Sequence, residues 1–248
     1  MSAIRKILIL FWRIWFYTIS LLTIIIAFPF LVVIISQEKW YPVFFKIAHW
    51  WAKIILILMG LIPEITEEEK IKRGESYVFC PNHTSMIDIM LMLSSTKAPF
   101  VFLGKQELAK IPIFGYIYKR TCILVDRESS KSKNQAFLSA KKRLQNGLSI
   151  CIFPEGKVPD DENTVLDEFH NGAFRLATDF EIPIVPITFY DCKKRFSYTF
   201  FRGGPGKLRV KIHAFLYPTG ELADRNRLKQ KTYDTIYTEL INDLKNNR

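Results

Sequence analysis

The 248-residue chain is predicted to have an α/β fold, with a mostly parallel sheet flanked by helices and an N-terminal apolar helical membrane anchor before it. Three observations predict this fold. Short apolar runs typical of buried strands alternate with helix-length segments, polar groups follow several of the runs, and a long uncharged segment lies near the N-terminus. The predicted strands are residues 77–80, 99–103, 121–125, 148–153, 182–189 and 208–216, and the predicted helices are residues 132–146, 168–180 and 227–245. Because Pro183 and Pro186 lack the N–H that a β-ladder uses, we expect residues 182–189 at a sheet edge or in an irregular stretch.

The N-terminal part of the chain predicts attachment to a membrane. Residues 14–37 form 24 consecutive residues without charge, which is enough helix to cross a hydrocarbon core of about 30 Å. Pro29 is expected to kink this helix. A second, amphipathic run, residues 47–62, completes either a two-helix hairpin or a monotopic anchor. In either case the aromatic residues between and within the runs would lie at the headgroup level: Trp40, Tyr41, Trp50 and Trp51.

The domain division follows from this pattern. Residues 1–62 are expected to form the anchor and residues 63–248 the catalytic domain, with a charged linker at 64–74. No small-residue cleavage pattern follows the apolar segment, so we expect it to be retained. The composition favours a catalytic domain on the cytosolic face of a cytoplasmic or inner membrane, since the four cysteines are scattered as buried free thiols are.

The charge balance restricts the partners. There are 35 Lys and Arg residues against 24 Asp and Glu, a formal net charge of +11. That excess favours an anionic lipid surface or an acidic carrier protein. The basic residues are dispersed through a membrane-seeking chain with no nucleic-acid-binding module, so we expect no nucleic-acid partner. The four histidines lack metal-ligand spacing to one another, and neither a metal nor another cofactor is expected.

The pair His83 and Asp88, in the segment NHTSMID of residues 82–88, is the main candidate for chemistry. On a continuous helix, five residues turn through about 500°, which would leave the two side chains about 140° apart. If His83 instead lies in a turn and the helix starts near Ser85, the Asp88 carboxylate can reach back and orient the imidazole as a base. The plainer alternative is a helix cap made by Ser85 and Asp88, with His83 as a surface turn residue.

Other strand ends carry further polar groups. The run at 99–103 is followed by Gly104 and Lys105, the run at 121–125 by Arg127, and the run at 148–153 by Pro154, Glu155, Gly156 and Lys157. Turns at the ends of parallel strands often carry binding and catalytic groups. Ordinary alternatives exist, because Lys105 and Arg127 could be solvated charges that close a strand and Glu155 a common turn residue.

Four ordered blocks resemble the glycerolipid acyltransferase family, which is typified by 1-acylglycerol-3-phosphate acyltransferase. They are NHTSMID at 82–88, GKQELAKIPIFG at 104–115 with VDR at 125–127, FPEG at 153–156 and IPIVPI at 182–187. The resemblance implies that the domain has this family's fold. It also implies that a membrane-bound enzyme moves a fatty acyl group from acyl-CoA or acyl carrier protein to a lysolipid hydroxyl, giving phosphatidate when the acceptor is 1-acylglycerol-3-phosphate.

The resemblance also implies roles for single residues. His83 would be the general base, oriented by Asp88, that deprotonates the acceptor hydroxyl for direct attack on the thioester without an acyl-enzyme. Glu155 would be a catalytic residue near the acceptor's glycerol hydroxyl or phosphate. Lys105 and Arg127 would bind the acceptor's phosphate, and the neighbouring Gly104, Pro154, Gly156 and Lys157 would complete the substrate-binding set. Arg175, in the segment 169–177, is a further phosphate candidate.

One departure keeps other functions open. Family members commonly continue FPEG with Thr-Arg, where this chain has Lys157 and Val158, and a lysine cannot reproduce the paired hydrogen bonds of an arginine. The acceptor could therefore be another lysolipid, including a phosphate-free amino-acid lipid. A thioester hydrolase that uses His83 to activate water, and a catalytically silent membrane-binding protein, are alternatives from other classes.

Overall fold

The computed structural model describes residues 2–72, 74–161, 163–221 and 223–246. In chain order the helices and strands are α1 Ala3–Ile34, α2 Tyr41–Leu58, β1 Leu61–Glu67, β2 Val78–Pro81, α3 Asp88–Ser95, β3 Phe100–Lys105, α4 Phe114–Thr121, β4 Ile123–Val125, α5 Ser130–Gln145, β5 Ser149–Cys151, α6 Gly172–Asp179, β6 Ile184–Phe189, α7 Cys192–Arg195, β7 Gly206–Ile212 and α8 Asp224–Asn246. Two short 3₁₀ turns lie at Glu38–Trp40 and Gln106–Lys110.

Within the described ranges the strands form one seven-stranded sheet in the order β1-β7-β6-β2-β5-β3-β4. Every neighbouring pair is parallel except β6 with β7. Helices α5, α6 and α8 pack in sequence against one another and onto the sheet, while α2 packs on α3 and β1. The predicted class, a mostly parallel α/β sheet flanked by helices, is therefore confirmed.

Two expectations about the strands were wrong. The stretch from Leu61 to Glu67 was expected to be the end of the anchor and the start of a linker, yet it pairs residue by residue with Gly206–Ile212 as a parallel strand. Alternation of apolar and polar residues is weak there, so the strand is recognisable only from its partner. Strand β6 was expected at an edge, but it is fully buried between β7 and β2. The carbonyl of Pro186 still accepts a hydrogen bond from the His213 N–H, so one missing donor does not end the ladder.

The two N-terminal helices are docked on the domain. Buried residues of α1 and α2, including Phe16 and Phe45, belong to the same apolar core as the sheet. Trp12 Nε1 donates to the Met59 carbonyl at 2.9 Å, and Trp51 Nε1 donates to Thr23 Oγ1 at 2.8 Å. The opposite side of α1 is apolar and exposed, with Ile26, Phe30 and Val33 each at least 70% exposed. By length and composition, both helices could cross a membrane.

The aromatic residues of this region divide into two groups. Trp40 and Trp50 are exposed, as expected of headgroup-level side chains. Tyr41 was expected with them but is buried, and its hydroxyl donates to the Phe100 carbonyl at 2.8 Å. A buried phenol needs such a partner, and the partner here is on strand β3. Tyr41 therefore ties α2 to the sheet.

Candidate active site

The polar strand ends meet at one edge of the sheet. Strands β2, β5, β3 and β4 are consecutive and parallel, so the segments that follow them lie side by side. This is the edge at which open parallel sheets place their ligands.

A compact turn after β2 brings His83 and Asp88 together. His83 Nδ1 lies 2.8 Å from Asp88 Oδ2, and the same oxygen accepts the backbone N–H groups of Thr84 at 2.6 Å and Ser85 at 2.8 Å. Helix α3 begins at Asp88, three residues later than expected, so the carboxylate lies in its first turn and reaches back. Asp88 therefore holds the turn and faces the imidazole at once, whereas the expected helix cap is not formed, because the N-cap of α3 is Ile87 without a side-chain hydrogen bond.

The base of this turn is held by the sheet. Asn82 Nδ2 donates to the Phe189 carbonyl at 3.1 Å, and Asn82 Oδ1 accepts the Phe189 N–H at 2.7 Å. Both residues are buried. This paired interaction fixes the chain just before His83 to the end of β6, and it places the imidazole over the sheet edge.

The His83 ring is restrained on two sides. Its face stacks on Phe153, with ring centroids 4.1 Å apart and planes 24° apart, and its Nδ1 faces the Asp88 carboxylate. Because a carboxylate only accepts hydrogen bonds, it fixes the ring hydrogen on Nδ1 and leaves Nε2 with a lone pair. The His83 side chain is 19% exposed while Asp88 is fully buried, so the imidazole is accessible from solvent but the carboxylate is not.

Glu155 lies beneath the turn after β2 and contacts backbone N–H groups. Its Oε1 accepts the His83 N–H at 2.6 Å and its Oε2 accepts the Asp167 N–H at 2.9 Å. The residue is 2% exposed. Burial raises the pKa of its carboxyl to about 7 in spite of the two N–H donors. This geometry differs from the acceptor-contacting position that the resemblance implies, because the protein backbone already occupies both oxygens.

Arg127 and His170 flank the turn at Gly156. Gly156 has φ +78°, and a Cβ built on it would lie 2.9 Å from Arg127 Nη1 and 2.8 Å from the His170 ring. Among the described residues Arg127 has no hydrogen bond or ion pair, and burial lowers its pKa. His170 is exposed, and its backbone N–H donates to the Pro154 carbonyl at 2.8 Å. A half-buried, uncommitted guanidinium beside an imidazole can accept an anion between them.

The remaining predicted residues are placed less favourably for an anion. Lys157 forms a salt bridge with Asp160, so its charge is already paired. Lys105 is exposed at the end of β3. The pKa of the Asp160 carboxyl is lowered mainly by Lys157 and to a smaller extent by Lys105. Arg175 donates to Asp179 and lies over the Phe137 ring. It is therefore engaged on α6.

Gly104 and Pro154 shape the site through their backbones. A Cβ on Gly104 would lie 1.8 Å from the Tyr118 hydroxyl, so the glycine admits the tyrosine ring against β3. Pro154 is buried, and its carbonyl holds the His170 N–H. No cluster of three or more metal-ligating side chains occurs in the described ranges, and the absence of a cofactor stays a prediction.

Sequence reasoning missed several site residues. The sequence pattern places His170 only among the histidines that lack metal-ligand spacing, and it predicts no role for Asn82, Phe153 or Asp167. Asn82 directly precedes His83, which was a usable local signal. The others are brought in by strand order and by the return of the chain before α6, which no local pattern encodes.

Fold and site together place a carboxylate-oriented histidine at the edge of an α/β sheet, a geometry in which the imidazole can act as a general base. The family described as Acyltransferase matches residues 62–190 of the chain. The chain therefore belongs to the acyltransferase family and is an acyltransferase.

Individual relatives agree with this assignment. The chain is 29% identical over 191 residues to the 1-acyl-sn-glycerol-3-phosphate acyltransferase of Borreliella burgdorferi, covering 76% of this chain and 74% of that protein. It is 27% identical to the lyso-ornithine lipid O-acyltransferase of Rhizobium meliloti, over 54% of this chain and 42% of that protein. The chain spans about half the length of several other curated relatives. The crystal structure of the 1-acyl-sn-glycerophosphate (LPA) acyltransferase of Thermotoga maritima shares the fold, with a TM-score of 0.81, 24% identity, and coverage of 97% of this chain and 98% of that one.

Proposed function

We propose that this acyltransferase moves a fatty acyl group from acyl-CoA or acyl carrier protein to the free hydroxyl of 1-acylglycerol-3-phosphate, giving phosphatidate for phospholipid synthesis. One observation carries the proposal. A restrained His83–Asp88 pair, which follows β2, lies at the same edge of the sheet as Arg127, which follows β4, with the turn of residues 153–156 between them. A base and a phosphate-binding cation are the two groups that such an acceptor requires. The name of the Borreliella burgdorferi relative agrees with this acceptor.

The proposed reaction uses His83 as the general base. Its Nε2 takes the proton of the acceptor hydroxyl while the hydroxyl oxygen attacks the thioester carbonyl. The tetrahedral intermediate collapses, the C–S bond breaks, and the imidazolium returns its proton to the departing thiolate. Asp88 stabilises the imidazolium formed in between. No acyl-enzyme is needed, and the sequence GLSIC at 147–151 lacks the last glycine of a serine nucleophile elbow.

Glu155 is proposed to act through the backbone. Its bonds to the His83 and Asp167 N–H groups hold the turn after β2 against the loop that precedes α6. Through these bonds it keeps His83 at a constant distance from the loop that carries Asp167 and His170. It is a positioning residue in this proposal, whereas the resemblance gives it a direct contact with the acceptor.

The acceptor's phosphate is proposed to bind between Arg127 and His170. Arg127 supplies a fork of donors, and His170 supplies a further ring N–H donor on the other side of Gly156. This pair would replace the arginine that family members carry where this chain has Val158. Lys105 remains a second, more exposed cation for the same headgroup.

The proposed setting is a membrane, with α1 and α2 as the anchor and the chain from β1 onward as the catalytic domain on the cytosolic face, since the boundary expected at residue 62 falls inside β1. The exposed apolar side of α1 supports attachment. The soluble donors, acyl-CoA and acyl carrier protein, would then reach the site from the cytosol while membrane lipids supply the lysolipid. Nucleic acid has no part in this proposal.

A second candidate is transfer to another lysolipid, including a phosphate-free amino-acid lipid. Two observations favour it. Lys157, the nearest substitute for the missing arginine, is committed to Asp160. In addition, one relative is named as a lyso-ornithine lipid acyltransferase. The candidate predicts that Arg127 is dispensable for acceptor binding.

The test is an acyl-transfer assay on the full chain in detergent–lipid micelles. Labelled acyl-CoA and acyl carrier protein are offered against lysophosphatidate, other lysophospholipids, monoacylglycerol and a lyso-ornithine lipid, with His83→Ala in parallel. His83-dependent formation of phosphatidate is the expected result. Transfer confined to phosphate-free acceptors would replace the first candidate by the second. Thioester loss at an equal rate with and without any acceptor would indicate a hydrolase.

A further inference from the structure

The first helix carries a buried cation that reaches the catalytic domain. Arg13 is 3% exposed. Its Nη2 donates to the Ser197 carbonyl and, at 3.0 Å, to the Arg202 carbonyl. Its guanidinium also lies over two aromatic rings, 4.6 Å from the Phe196 centroid and 4.9 Å from that of Phe200. A guanidinium so enclosed by carbonyls and rings fixes the segment of residues 196–202 on α1.

Phe196 is the centre of this contact. Besides Arg13, three aromatic residues of α1 pack against its ring. Phe16 is closest, with ring centroids 4.7 Å apart, followed by Trp12 at 5.5 Å and Tyr17 at 6.4 Å. Phe196 is 2% exposed. Its position is therefore set by one face of α1.

The backbone of Phe196 leads directly to the catalytic turn. Its carbonyl accepts a hydrogen bond of 2.6 Å from Ser85 Oγ, and Ser85 is fully buried. The Ser85 N–H in turn donates to Asp88 Oδ2, the oxygen that faces His83 Nδ1. Four successive contacts thus join Arg13 to His83: Arg13 to Phe196, Phe196 to Ser85, Ser85 to Asp88, and Asp88 to His83. Arg13, Phe196, Ser85 and Asp88 are buried, so breaking a hydrogen bond in this series would leave a buried polar group without its partner.

We propose that α1 is a positioning element for catalysis: Arg13 and Phe196 hold Ser85, and through it the Asp88 carboxylate, in the geometry that orients His83. The helix then does more than attach the enzyme to a membrane. Loosening it at Arg13 lowers turnover even where substrates are already dissolved in micelles. The inference rests on the proposed use of His83 as a base, and it holds for whichever acceptor is used.

The first test does not depend on activity. Hydrogen exchange is followed in the full chain in detergent for the peptide that covers residues 82–88, in wild type, Arg13→Met and Arg5→Met. Arg5 is an exposed arginine of the same helix and serves as the matched control. Arg13→Met is expected to speed exchange at the Thr84 and Ser85 amides about tenfold, while Arg5→Met leaves it unchanged. Faster exchange only in α1 and in residues 196–204, with the catalytic turn unchanged, would overturn the proposal.

The second test separates positioning from folding. Initial rates are compared for Arg13→Met, Phe196→Leu, Ser85→Ala and the double variant Arg13→Met/Ser85→Ala, with thermal midpoints measured on the same samples. Arg13→Met is expected to lower kcat about tenfold with both KM values within about twofold, since only orientation is lost. The double variant is expected to match Ser85→Ala alone, because both changes act through one contact. Two results would contradict the proposal. One is a double variant whose loss of kcat equals the product of the two single losses, and the other is a loss of kcat that parallels the drop in thermal midpoint across the variants.

Discussion

Glu155 Oε1 accepts a hydrogen bond of 2.6 Å from the His83 N–H, which joins the turn after β5 to the turn after β2. The second oxygen binds the Asp167 N–H. A single buried carboxyl thus spans two catalytic segments that are 72 residues apart in the chain. The backbone of His83 is therefore held by a carboxyl that is 2% exposed.

Replacing Glu155 by Gln is expected to change the pH dependence of stability. Burial raises the pKa of this carboxyl from 4.5 to about 7 in the folded protein, so the folded state binds the proton more tightly than the unfolded state. Proton binding by Glu155 therefore contributes fully to the free energy of unfolding below about pH 4.5, and this contribution is lost as the pH rises through about 7. The free energy of unfolding changes by on the order of 3 kcal/mol over that range. The thermal midpoint of the wild type minus that of Glu155→Gln should fall between pH 5 and pH 8. A difference that is flat or rises over this range would refute the assignment.

Asp88→Asn is expected to lower kcat by about a thousandfold with little change in KM, since an amide can present a donor to His83 and favour the wrong tautomer. Steady-state kinetics with saturating acyl donor measure it. Asp234→Asn, on the exposed face of α8, is the matched control and should retain wild-type rates. Loss of less than tenfold for Asp88→Asn would argue against an oriented base.

Arg127→Ala is expected to raise the KM for lysophosphatidate about 10- to 100-fold, the effect of a lost charge-assisted bond of about 1.5–3 kcal/mol. His170→Gln should raise the KM for lysophosphatidate less, and neither substitution should change the KM for monoacylglycerol. Arg120→Ala is the control, because that arginine lies over the Tyr116 ring on α4. Equal effects of Arg127→Ala on acceptors with and without phosphate would remove Arg127 from the headgroup site.

The cysteines are expected to be inert in the folded enzyme. Burial raises the pKa of the Cys122 thiol to about 12, and it also raises the pKa of the Cys80 thiol. Burial, followed by the nearby Asp88 carboxylate, raises the pKa of Cys192. Because the thiolate is the reactive form, maleimide at pH 7.5 should leave activity intact and label the chain only after denaturation, as read by intact mass. Rapid labelling with loss of activity would instead point to a cysteine nucleophile.

Gly104→Ala is expected to destabilise the fold by about 1–3 kcal/mol, because the new Cβ meets the buried Tyr118 hydroxyl and the ring has to move. Differential scanning fluorimetry measures the loss. Gly172→Ala is the matched control, since a Cβ at that position meets nothing within 4 Å. Equal thermal midpoints for the two variants would show that the close approach of Tyr118 to Gly104 does not limit the side chain at this position.

Strands with strong apolar patterns could be predicted from the sequence, while those with mixed patterns could not. The runs before His83, Lys105 and Arg127 are short, apolar and largely buried, so their local composition already indicates that they are strands. Strand β1 contains a proline and charged residues, and its identity comes from pairing with β7. Pro186 suggested an edge, yet its strand lies inside the sheet because the order of strands, not one missing donor, decides position.

The sequence by itself determined the α/β class, the apolar N-terminal helices and the His83–Asp88 pair, whose members lie five residues apart and meet within one turn. Only the tertiary structure decided which distant groups complete the site. Glu155 lies beneath His83, His170 stands beside Arg127, and Arg13 lies 184 residues from the Ser197 carbonyl that it holds. The physical reason is the range of the forces involved. Burial periodicity and turn hydrogen bonds act between near neighbours in the chain, whereas contacts between strand ends exist only after the strand order is set.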